Sequence, residues 1–455
     1  MHIIIAGAGK VGSALAEQLA KENHDVTIID PNEAVVDRIS NSMDVICYVG
    51  NGASFPTLKS VGIEYCDVLI AVTHSDELNL MCCLAAHKLG AKHTIARVRN
   101  PEYANQLYDL KDDLGLSMSI NPERAVAEEI SRILRFPAAS RVELFARGRV
   151  ELVSCKLQPS SLLCGLKLKE IPAELGIKVL ICIVDRNGQI SIPDGNFTLN
   201  AGDGLYFTGS PKEIGKAFRK AKMHINPIKS VMIAGGGKVT YYLAQLLSKQ
   251  NMDIKIIEID KNRAEFLSQN LENSVILHAD ASDNDMLSEE GISRTDAFVA
   301  LTGLDEGNIL GALYATQNSV KKVIAKINNE NRMEMASKLN IDTVISTKYI
   351  TTGRILRYVR AVENSNMNDN MQSLYRVLDG KVEVMEFLCG KSIPNLTGIP
   401  LSDVALKKNT LIACIVRKDT TIIPSGTDSI QENDSVLVVS AGHKFRNLED
   451  ILAEA

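Results

Sequence analysis

The sequence predicts an α/β protein in which a doubly wound parallel sheet, followed by a small α+β module, occurs twice in tandem. Three observations support this fold class: strand-like and helix-like segments alternate, a glycine-rich turn follows the first strand, and both features return after about 228 residues. The length of 455 residues indicates about three to four domains. With 45% hydrophobic and 23% charged residues, the composition is typical of a soluble globular protein.

From residue 1 to about 136, apolar strand-like runs alternate with helix-like segments. The predicted strands are Ile3–Ala6, Val26–Ile29, Val45–Val49, Val68–Val72, Thr94–Val98 and Ser117–Ile120. The predicted helices are Ser13–Ala20, Ala34–Ser40, Phe55–Val61, Leu78–Leu89, Pro101–Leu110 and residues 123–136, the last ending before Pro137. This alternation predicts a parallel sheet with right-handed crossovers and helices on both faces.

The turn after the first strand has the pattern Gly7-x-Gly9-x-x-Gly12, filled in by Ala8, Lys10 and Val11. Strand, glycine turn and helix in this order are typical of a Rossmann-like dinucleotide site. Gly7 permits a tight turn, Gly9 a close approach of the backbone to a pyrophosphate, and Gly12 close packing of helix and strand. The phosphates would lie on the free amides of the first helix. The alternative is a tight turn that serves packing alone.

The second strand ends at Asp30, about 20 residues after the turn, where a carboxylate accepts both hydroxyls of a ribose. This geometry disfavours a 2′-phosphate, so NADP is not expected. It does not separate NAD(H) from ATP or ADP, since all present a ribose diol. The alternative role of Asp30 is a helix cap at the strand end.

Four further candidates follow the next strands, at the carboxyl edge where ligands bind in such sheets. Asn51 is a candidate at this edge, with a simple turn as the alternative; the family resemblance described below implies that it lines an adenine pocket. Thr73 is expected near ribose or pyrophosphate, and His74 either meets a phosphate or faces solvent. Arg97 either makes a bidentate phosphate contact or forms a structural ion pair. Ser75-Asp76 is also a helix N-cap pattern that needs no ligand.

After residue 136, short strands and turns predict a small β-rich module with a helix at each end, and then the opening pattern returns. Gly235 lies 228 positions after Gly7 (235 − 7), and Ile254–Glu258 repeats Val26–Asp30 at the same offset. We therefore predict four domains, at residues 1–136, 137–224, 228–363 and 371–455, with a polar link at residues 364–370.

The second copy is predicted to hold an altered site. Its candidate residues are Gly235, Gly237, Lys238, Glu258, Asp280 and Thr302. Thr240 replaces Gly12 and is followed by the bulky Tyr241 and Tyr242. The loss of this glycine should push the helix away from the strand and reshape the phosphate cradle. Lys326 replaces Arg97, and Arg263 lies about one helical turn beyond Glu258. We expect a nucleotide of different preference here; a degraded site kept as scaffold is the alternative.

Composition argues against several other classes of function. The net charge is −5 without a Lys/Arg-dense tract, so nucleic acid is not expected as a partner. No apolar run is long enough to span a bilayer, and the N-terminus does not resemble a signal peptide. The nine cysteines include no C-x-x-C, which predicts buried thiols, and Cys82-Cys83 lies in an apolar helix pattern. No metal site and no catalytic residue are predicted.

These motifs, with Val49-Gly50-Asn51-Gly52 and Ala71-Val72-Thr73, resemble the KTN/RCK nucleotide-binding domains, and the β modules resemble their C-terminal companions. The tandem order is similar to that of the regulatory subunits of Trk/Ktr potassium-uptake systems. This resemblance implies a cytoplasmic, peripheral protein that binds NAD(H) or ATP/ADP and gates a TrkH- or TrkG-like membrane potassium transporter subunit. It also implies a homo-oligomer, a tetramer with eight nucleotide-binding lobes. It further implies that the protein is not an enzyme.

The alternative function is an NAD-dependent oxidoreductase, because such enzymes share the glycine pattern and fold does not decide function. A dehydrogenase needs a substrate cleft with a proton-transfer group. Here each nucleotide fold is followed by only about 85 residues of β module without an evident His or Lys motif, so a ligand sensor is favoured.

Overall fold

A computed structural model describes residues 1–135, 139–223, 228–339, 341–366, 370–378, 381–418 and 420–453. The chain divides into two compact units, Met1–Leu134 with Ile228–Val359 and Arg135–Pro227 with Arg360–Ala455. Each unit therefore combines one part of the first half of the chain with one part of the second. Within the described residues, no helix combines the length and apolarity that crossing a membrane requires.

The first unit contains two six-stranded parallel sheets of the same topology. The first sheet is formed by β1 His2–Ala6, β2 Asp25–Asp30, β3 Ile46–Val49, β4 Val68–Ala71, β5 His93–Arg97 and β6 Met118–Ile120, in the order β3-β2-β1-β4-β5-β6. The helices are α1 Lys10–Lys21, α2 Glu33–Ser40, α3 Phe55–Ser60, α4 Asp76–Lys88, α5 Pro101–Leu110 and α6 Pro122–Arg135. The predicted strands and helices are confirmed, with ends shifted by one to three residues. Because β1 pairs with both β2 and β4, the order in which strands are added to the sheet changes direction at β1, beside the turn that follows it.

The second half of the chain contributes the other sheet of this unit. Its strands are β12 Ser230–Ala234, β13 Asp253–Glu258, β14 Ser274–His278, β15 Ala297–Ala300, β16 Lys322–Lys326 and β17 Thr343–Ile345, in the order β14-β13-β12-β15-β16-β17. Its helices are α9 Lys238–Ser248, α10 Lys261–Asn270, α11 Asn284–Glu289, α12 Asp305–Gln317, α13 Glu330–Lys338 and α14 Thr347–Asn366. We call β1–β6 with α1–α5 the first lobe and β12–β17 with α9–α13 the second lobe.

Helices α6 and α14 join the two lobes. Val126 and Ile130 of α6 belong to the same buried cluster as Ile233 and Leu243 of the second lobe. In return, the hydroxyl of Tyr358 on α14 lies 3.3 Å from Nδ1 of His93 in the first lobe. Arg354 of α14 and Glu128 of α6 form an ion pair at 2.8 Å. Each lobe is thus covered by a helix that follows the last strand of the other.

The second unit contains two five-stranded antiparallel sheets, one from each half of the chain. The first consists of β7 Ala139–Phe145, β8 Val150–Lys156, β9 Leu180–Arg186, β10 Gln189–Ser191 and β11 Gly204–Gly209, with α7 Ile171–Leu175 and α8 Pro211–Lys220. The second consists of β18 Met371–Val377, β19 Val382–Leu388, β20 Thr410–Arg417, β21 Thr420–Ile422 and β22 Ser435–Ala441. A shared cluster that includes Phe145, Ile183, Val384 and Val439 packs the two sheets together.

The predicted polar link is shorter than expected. Helix α14 continues to Asn366, so residues 364–366 are helical although Asn and Ser are poor helix formers. The preceding turns of a long helix supply carbonyl acceptors to its last residues, which offsets this weak propensity. Residues 367–369 and 136–138, including Pro137, lie outside the described residues, as do 224–227, so the four domain boundaries stay predictions.

All nine cysteines are free, and seven of them are buried. Burial raises the pKa of Cys82 to about 12 and also raises the pKa of Cys83. Both residues contribute to the core of the first lobe. The prediction of buried thiols is therefore confirmed for these positions, whereas Cys47 and Cys164 are partly exposed.

Both β modules repeat one buried ion pair. Arg186 contacts both carboxylate oxygens of Asp203 at 2.8 Å, and Arg417 contacts those of Asp434 at 2.9 and 2.8 Å. Asp203 is 1% exposed and also accepts a hydrogen bond from the backbone N–H of Asn200. The pKa of Asp203 is lowered, mainly by its hydrogen bonds from Arg186.

The Asp203→Asn variant should reduce the free energy of unfolding by about 1.5–3 kcal/mol, because charge-assisted bonds to a buried acceptor are lost. Urea unfolding at pH 7 measures this effect. The stabilisation exists above the unfolded pKa of the carboxyl and disappears as pH falls through its lowered folded pKa, so the difference from wild type should shrink in acid. Lys216→Gln, which removes an exposed 3.6 Å pair with Glu213, is the control, with an expected change below about 0.5 kcal/mol.

Candidate functional site

A cavity of about 450 Å³ opens at the carboxyl edge of the first sheet. Seven of the predicted site residues line it: Gly7, Gly9, Asp30, Asn51, Thr73, His74 and Arg97. Sequence reasoning did not single out its other wall residues, which are Ile29, Pro31, Gly52, Val72 and Leu78. The structure thus brings together side chains from the ends of four strands, as the topology requires. Ala8, Lys10, Val11 and Gly12 are not part of the cavity wall.

Three glycines shape the turn at the base of the cavity, each in its own way. Gly7 has a φ of 107°, a conformation that L side chains rarely adopt. A Cβ on Gly12 would lie 1.9 Å from the carbonyl oxygen of Gly7, so α1 can approach the turn only with glycine at this position. Gly9 is the extended N-cap of α1, and a Cβ there would meet nothing within 4 Å. The space over Gly9 is therefore open to a ligand.

Asp30 is held by the turn and by its own loop. One carboxylate oxygen accepts a hydrogen bond from the backbone N–H of Ala8 at 2.8 Å, and the other from that of Asn32 at 2.9 Å. The N-cap of α2 is Asn32, whose side chain accepts from Val35. The alternative role of Asp30 as a helix cap is therefore wrong. Since each carboxylate oxygen accepts more than one hydrogen bond, Asp30 keeps acceptor capacity towards the cavity.

Asn51 makes the turn that was one of its two predicted roles. Its side-chain oxygen accepts from the backbone N–H of Ala53 at 3.0 Å, which makes a local turn. The same residue lines the cavity beside Gly52. His74 lines the cavity and is exposed. The predicted N-cap after it is confirmed, because the Ser75 hydroxyl accepts from the backbone N–H of Leu78.

Arg97, the last residue of β5, directs its guanidinium along the cavity wall. Its Nη2 donates to the carbonyl oxygen of Thr73, and its buried Nε has no hydrogen-bond partner among the described residues. Burial lowers the pKa of Arg97, yet arginine remains charged at neutral pH. In the described part of the chain Arg97 makes no ion pair, whereas Arg99 pairs with Glu123. The ion-pair alternative for Arg97 is therefore wrong.

Sequence reasoning missed the residue that holds this wall together. Asn79 is fully buried, and its side-chain oxygen accepts from both the N–H and the hydroxyl of Thr73 at 2.8 Å. Its amide nitrogen donates to the carbonyl oxygen of Arg97 at 2.8 Å. Asn308 makes the same three bonds with Thr302 and Lys326. The 229-residue repeat of this asparagine was the available signal.

The second lobe keeps the conformation of the glycine turn. Gly235 has a φ of 98°, and Gly237 has φ and ψ of −65° and −174°, against −69° and −172° for Gly9. The predicted reshaping is therefore not found at these glycines. The buried Thr240 donates its hydroxyl to the carbonyl oxygen of Gly235 at 2.5 Å, whereas a Cβ on Gly12 would overlap the equivalent carbonyl oxygen of Gly7.

The other predicted residues of the second lobe take places equivalent to those of the first. Glu258 accepts from the N–H groups of Gly236 and Asp260 at 2.5 and 2.8 Å, as Asp30 does from its loop. Asp280 accepts from the N–H of Ser282, as Asn51 does from Ala53. Lys238 is exposed in the first turn of α9, and Thr302 is bound to Asn308. Burial lowers the pKa of Lys326, which donates to the carbonyl oxygen of Leu301 at 3.2 Å.

No group of three or more His, Cys, Asp or Glu side chains with metal-binding geometry occurs within the described ranges. In the first lobe the backbone amides of the glycine turn, the carboxylate of Asp30 and the half-buried guanidinium of Arg97 border one cavity. This set is suited to a ribose and a phosphate group.

Known proteins are similar to this chain in sequence and in fold. The TrkA-N domain family matches residues 3–122 and 231–347, and the TrkA-C domain family matches residues 152–222. The chain is 32% identical to the Trk system potassium uptake protein TrkA homolog 2 of Methanosarcina mazei, covering 99% of this chain and 100% of the relative. It is also 32% identical to the Trk system potassium uptake protein TrkA of Vibrio alginolyticus, covering 98% of this chain and 97% of the relative.

Among solved structures, the GsuK channel bound to NAD superposes with a TM-score of 0.63 at 17% identity, covering 97% of this chain and 77% of that chain. The fold thus defines a protein of two Rossmann-like lobes and two β modules, the first of which matches the TrkA-C domain family. The chain belongs to the TrkA family of Trk system potassium uptake proteins.

Gly12→Ala should destabilise the first lobe by about 1–3 kcal/mol, because the added methyl group overlaps the Gly7 carbonyl oxygen. Gly9→Ala is the matched control and should leave stability within about 1 kcal/mol, since its Cβ enters open space. Urea unfolding monitored by circular dichroism measures both. Equal stability of the two variants would contradict the close approach of α1 to the turn.

Proposed function

We propose that this chain is a nucleotide-binding regulatory subunit that gates a Trk-type potassium uptake transporter. The observation that carries the proposal is the cavity of the first lobe, where an open glycine turn, Asp30 and the half-buried Arg97 meet. The proposed ligands are NAD(H) or ATP/ADP, which share an adenosine ribose and a pyrophosphate. The family supports the connection to potassium uptake.

The geometry supports a definite arrangement of such a ligand. Its ribose hydroxyls would donate to Asp30, whose carboxylate is already oriented by the amides of Ala8 and Asn32. Its phosphates would lie over Gly9 at the N-terminus of α1, where the free amides and the helix dipole favour an anion. The unpartnered Nε of Arg97 would then gain a charge-assisted hydrogen bond. Thr73, whose hydroxyl donates to Asn79, keeps an acceptor for the ligand.

Regulation would follow from the packing of the two lobes on each other through α6 and α14. A nucleotide that binds one arrangement of the lobes more tightly than another shifts the population towards the first. Helix α6 follows β6 of the first lobe and packs in the core of the second, so a displacement at one site is passed to the other. The effect is limited by the difference in affinity between the two arrangements.

The family resemblance also supports the proposed surroundings of the protein. We place it in the cytoplasm, peripheral to the membrane through contact with a TrkH- or TrkG-like transporter subunit. Four chains would form a ring with eight nucleotide-binding lobes. Size-exclusion chromatography with light scattering measures the mass of the assembly, and a chain that remains monomeric with saturating nucleotide would contradict the ring.

An oxidoreductase is not supported. The relatives are named as potassium uptake proteins, and the only histidine of the described cavity wall is the exposed His74. Incubation with NAD and candidate hydroxy or amino acids should give no sustained NADH production at 340 nm. Sustained production by wild type that disappears in Asp30→Ala would overturn the regulatory proposal.

Asp30→Ala should weaken the binding of NADH, NAD, ATP and ADP to the first lobe by about tenfold or more, because two hydrogen bonds to the ribose are lost. Glu258→Ala should act on the second lobe alone. Isothermal titration of wild type and both variants separates the two classes of site. Glu17→Gln, an exposed change on α1 away from the cavity, is the control and should bind as wild type. Unchanged affinity for all four nucleotides in Asp30→Ala would show that the cavity is not the site.

A further inference from the structure

The second glycine turn carries a fixed cation that the first turn lacks. The carbonyl oxygen of Gly236 accepts a hydrogen bond from Nε of Arg263 at 2.6 Å. In the first lobe the equivalent carbonyl, that of Ala8, accepts instead from the neutral hydroxyl of Ser13 at 2.9 Å. The φ of Gly235 and the φ and ψ of Gly237 are close to those of Gly7 and Gly9, so the donors to this carbonyl differ in charge on turns of similar conformation.

Aromatic side chains hold Arg263 in this position. Its guanidinium lies over the ring of Phe266, 4.7 Å from the centroid, and Tyr241 packs against the same ring at 5.9 Å. A cation over an aromatic face is attracted by the negative face of the ring. Tyr241 replaces Ser13 of the first lobe. This substitution removes the serine hydroxyl that binds the turn, and it supplies an aromatic ring that packs beside Phe266.

The first lobe has no equivalent cation at its turn. Val35 occupies the place of Arg263, 228 positions earlier (263 − 228), and Arg38 occupies the place of Phe266. Arg38 is exposed and makes no hydrogen bond to the turn among the described residues. The two lobes of one chain therefore form an internal comparison in which Arg263 is a cation that only the second turn holds, among the described residues.

Arg263 lies on the ribose side of the turn. The carbonyl oxygen of Gly236 accepts a hydrogen bond from Arg263, and the N–H of Gly236 donates one to Glu258 at 2.5 Å. Carboxylate and guanidinium thus flank one residue, yet in the described structure they form no ion pair within 4.0 Å. The two Nη atoms of Arg263 have no protein partner among the described residues, which leaves a bidentate edge for an anion.

We propose that Arg263 is a specificity-determining residue that lets the second lobe bind an adenosine nucleotide with a phosphate on its ribose, which the first lobe rejects. This inference rests on the proposed nucleotide binding of the lobes. An acid alone at the ribose repels a 2′-phosphate, whereas a neighbouring arginine accommodates it. In the first lobe, no cation among the described residues binds the turn beside Asp30. In the second lobe Arg263 offsets the charge of Glu258, whose two oxygens already accept from backbone amides.

The test uses the full-length protein and two probes that differ only in the ribose phosphate, adenosine 2′,5′-bisphosphate and AMP. Asp30→Ala isolates the second lobe, and Glu258→Ala isolates the first. By isothermal titration, the second lobe should bind the bisphosphate at least as tightly as AMP, and the first lobe should prefer AMP by about tenfold. Adding Arg263→Gln to Asp30→Ala should lower the bisphosphate-to-AMP affinity ratio about tenfold.

Two further variants separate charge from folding. Arg263→Lys keeps the positive charge and should retain part of the preference, which a purely structural role of the guanidinium would not do. Arg38→Gln, an exposed change in the first lobe, should leave both ratios unchanged. Thermal melting confirms that each variant is folded.

The outcomes are distinguishable. If the second lobe binds AMP and Arg263→Gln leaves the affinity ratio unchanged, the role of Arg263 is overturned while nucleotide binding stands. If the second lobe, with Glu258 intact, binds neither probe, nucleotide binding at that lobe is overturned together with this inference. A first lobe that binds the bisphosphate as tightly as the second would also overturn it.

Discussion

The contact between α1 and the glycine turn is the constraint on which the first site depends. The missing side chain of Gly12 lets the helix come so close that a Cβ would overlap the Gly7 carbonyl oxygen. This approach sets the start of α1 beside β1 and leaves the space over Gly9 open. The N–H of Ala8 then points to Asp30, which fixes the carboxylate at the neighbouring strand end. One steric condition thus positions both groups of the proposed nucleotide site, the turn over Gly9 and the carboxylate of Asp30.

The opposite wall of the site depends on a buried amide. Asn79 ties the end of β4 to the end of β5 through Thr73 and Arg97, and Asn308 does the same in the second lobe. A buried amide with all these partners is favourable, whereas one left without them costs about 1–3 kcal/mol. The asparagine therefore fixes the spacing of two strand ends, and with it the position of the half-buried Arg97 or Lys326.

Duplication has let the two lobes diverge in chemistry while the backbone stayed the same. In the second lobe a threonine fills the place of Gly12 by forming a hydrogen bond to the carbonyl that it would otherwise overlap. Arg263, which lies over the ring of Phe266, supports the turn through its hydrogen bond to the carbonyl oxygen of Gly236. Because α6 and α14 each contact the lobe of the other half of the chain, the two unequal sites lie within one compact unit.

The sequence by itself determined the class of fold, the duplication and most of the cavity wall, because strand–helix alternation and glycine spacing act locally. Residues 1–120 show this well: each predicted strand and helix is present, and seven predicted residues meet in one cavity. Only the tertiary structure decided which polar groups pair. Asn79 resembles any helix residue in the sequence, Arg97 had an open choice of partners, and Arg263 was only a nearby charge. Their roles depend on distances between strand ends and turns, which the folded sheet sets and spacing along the chain does not.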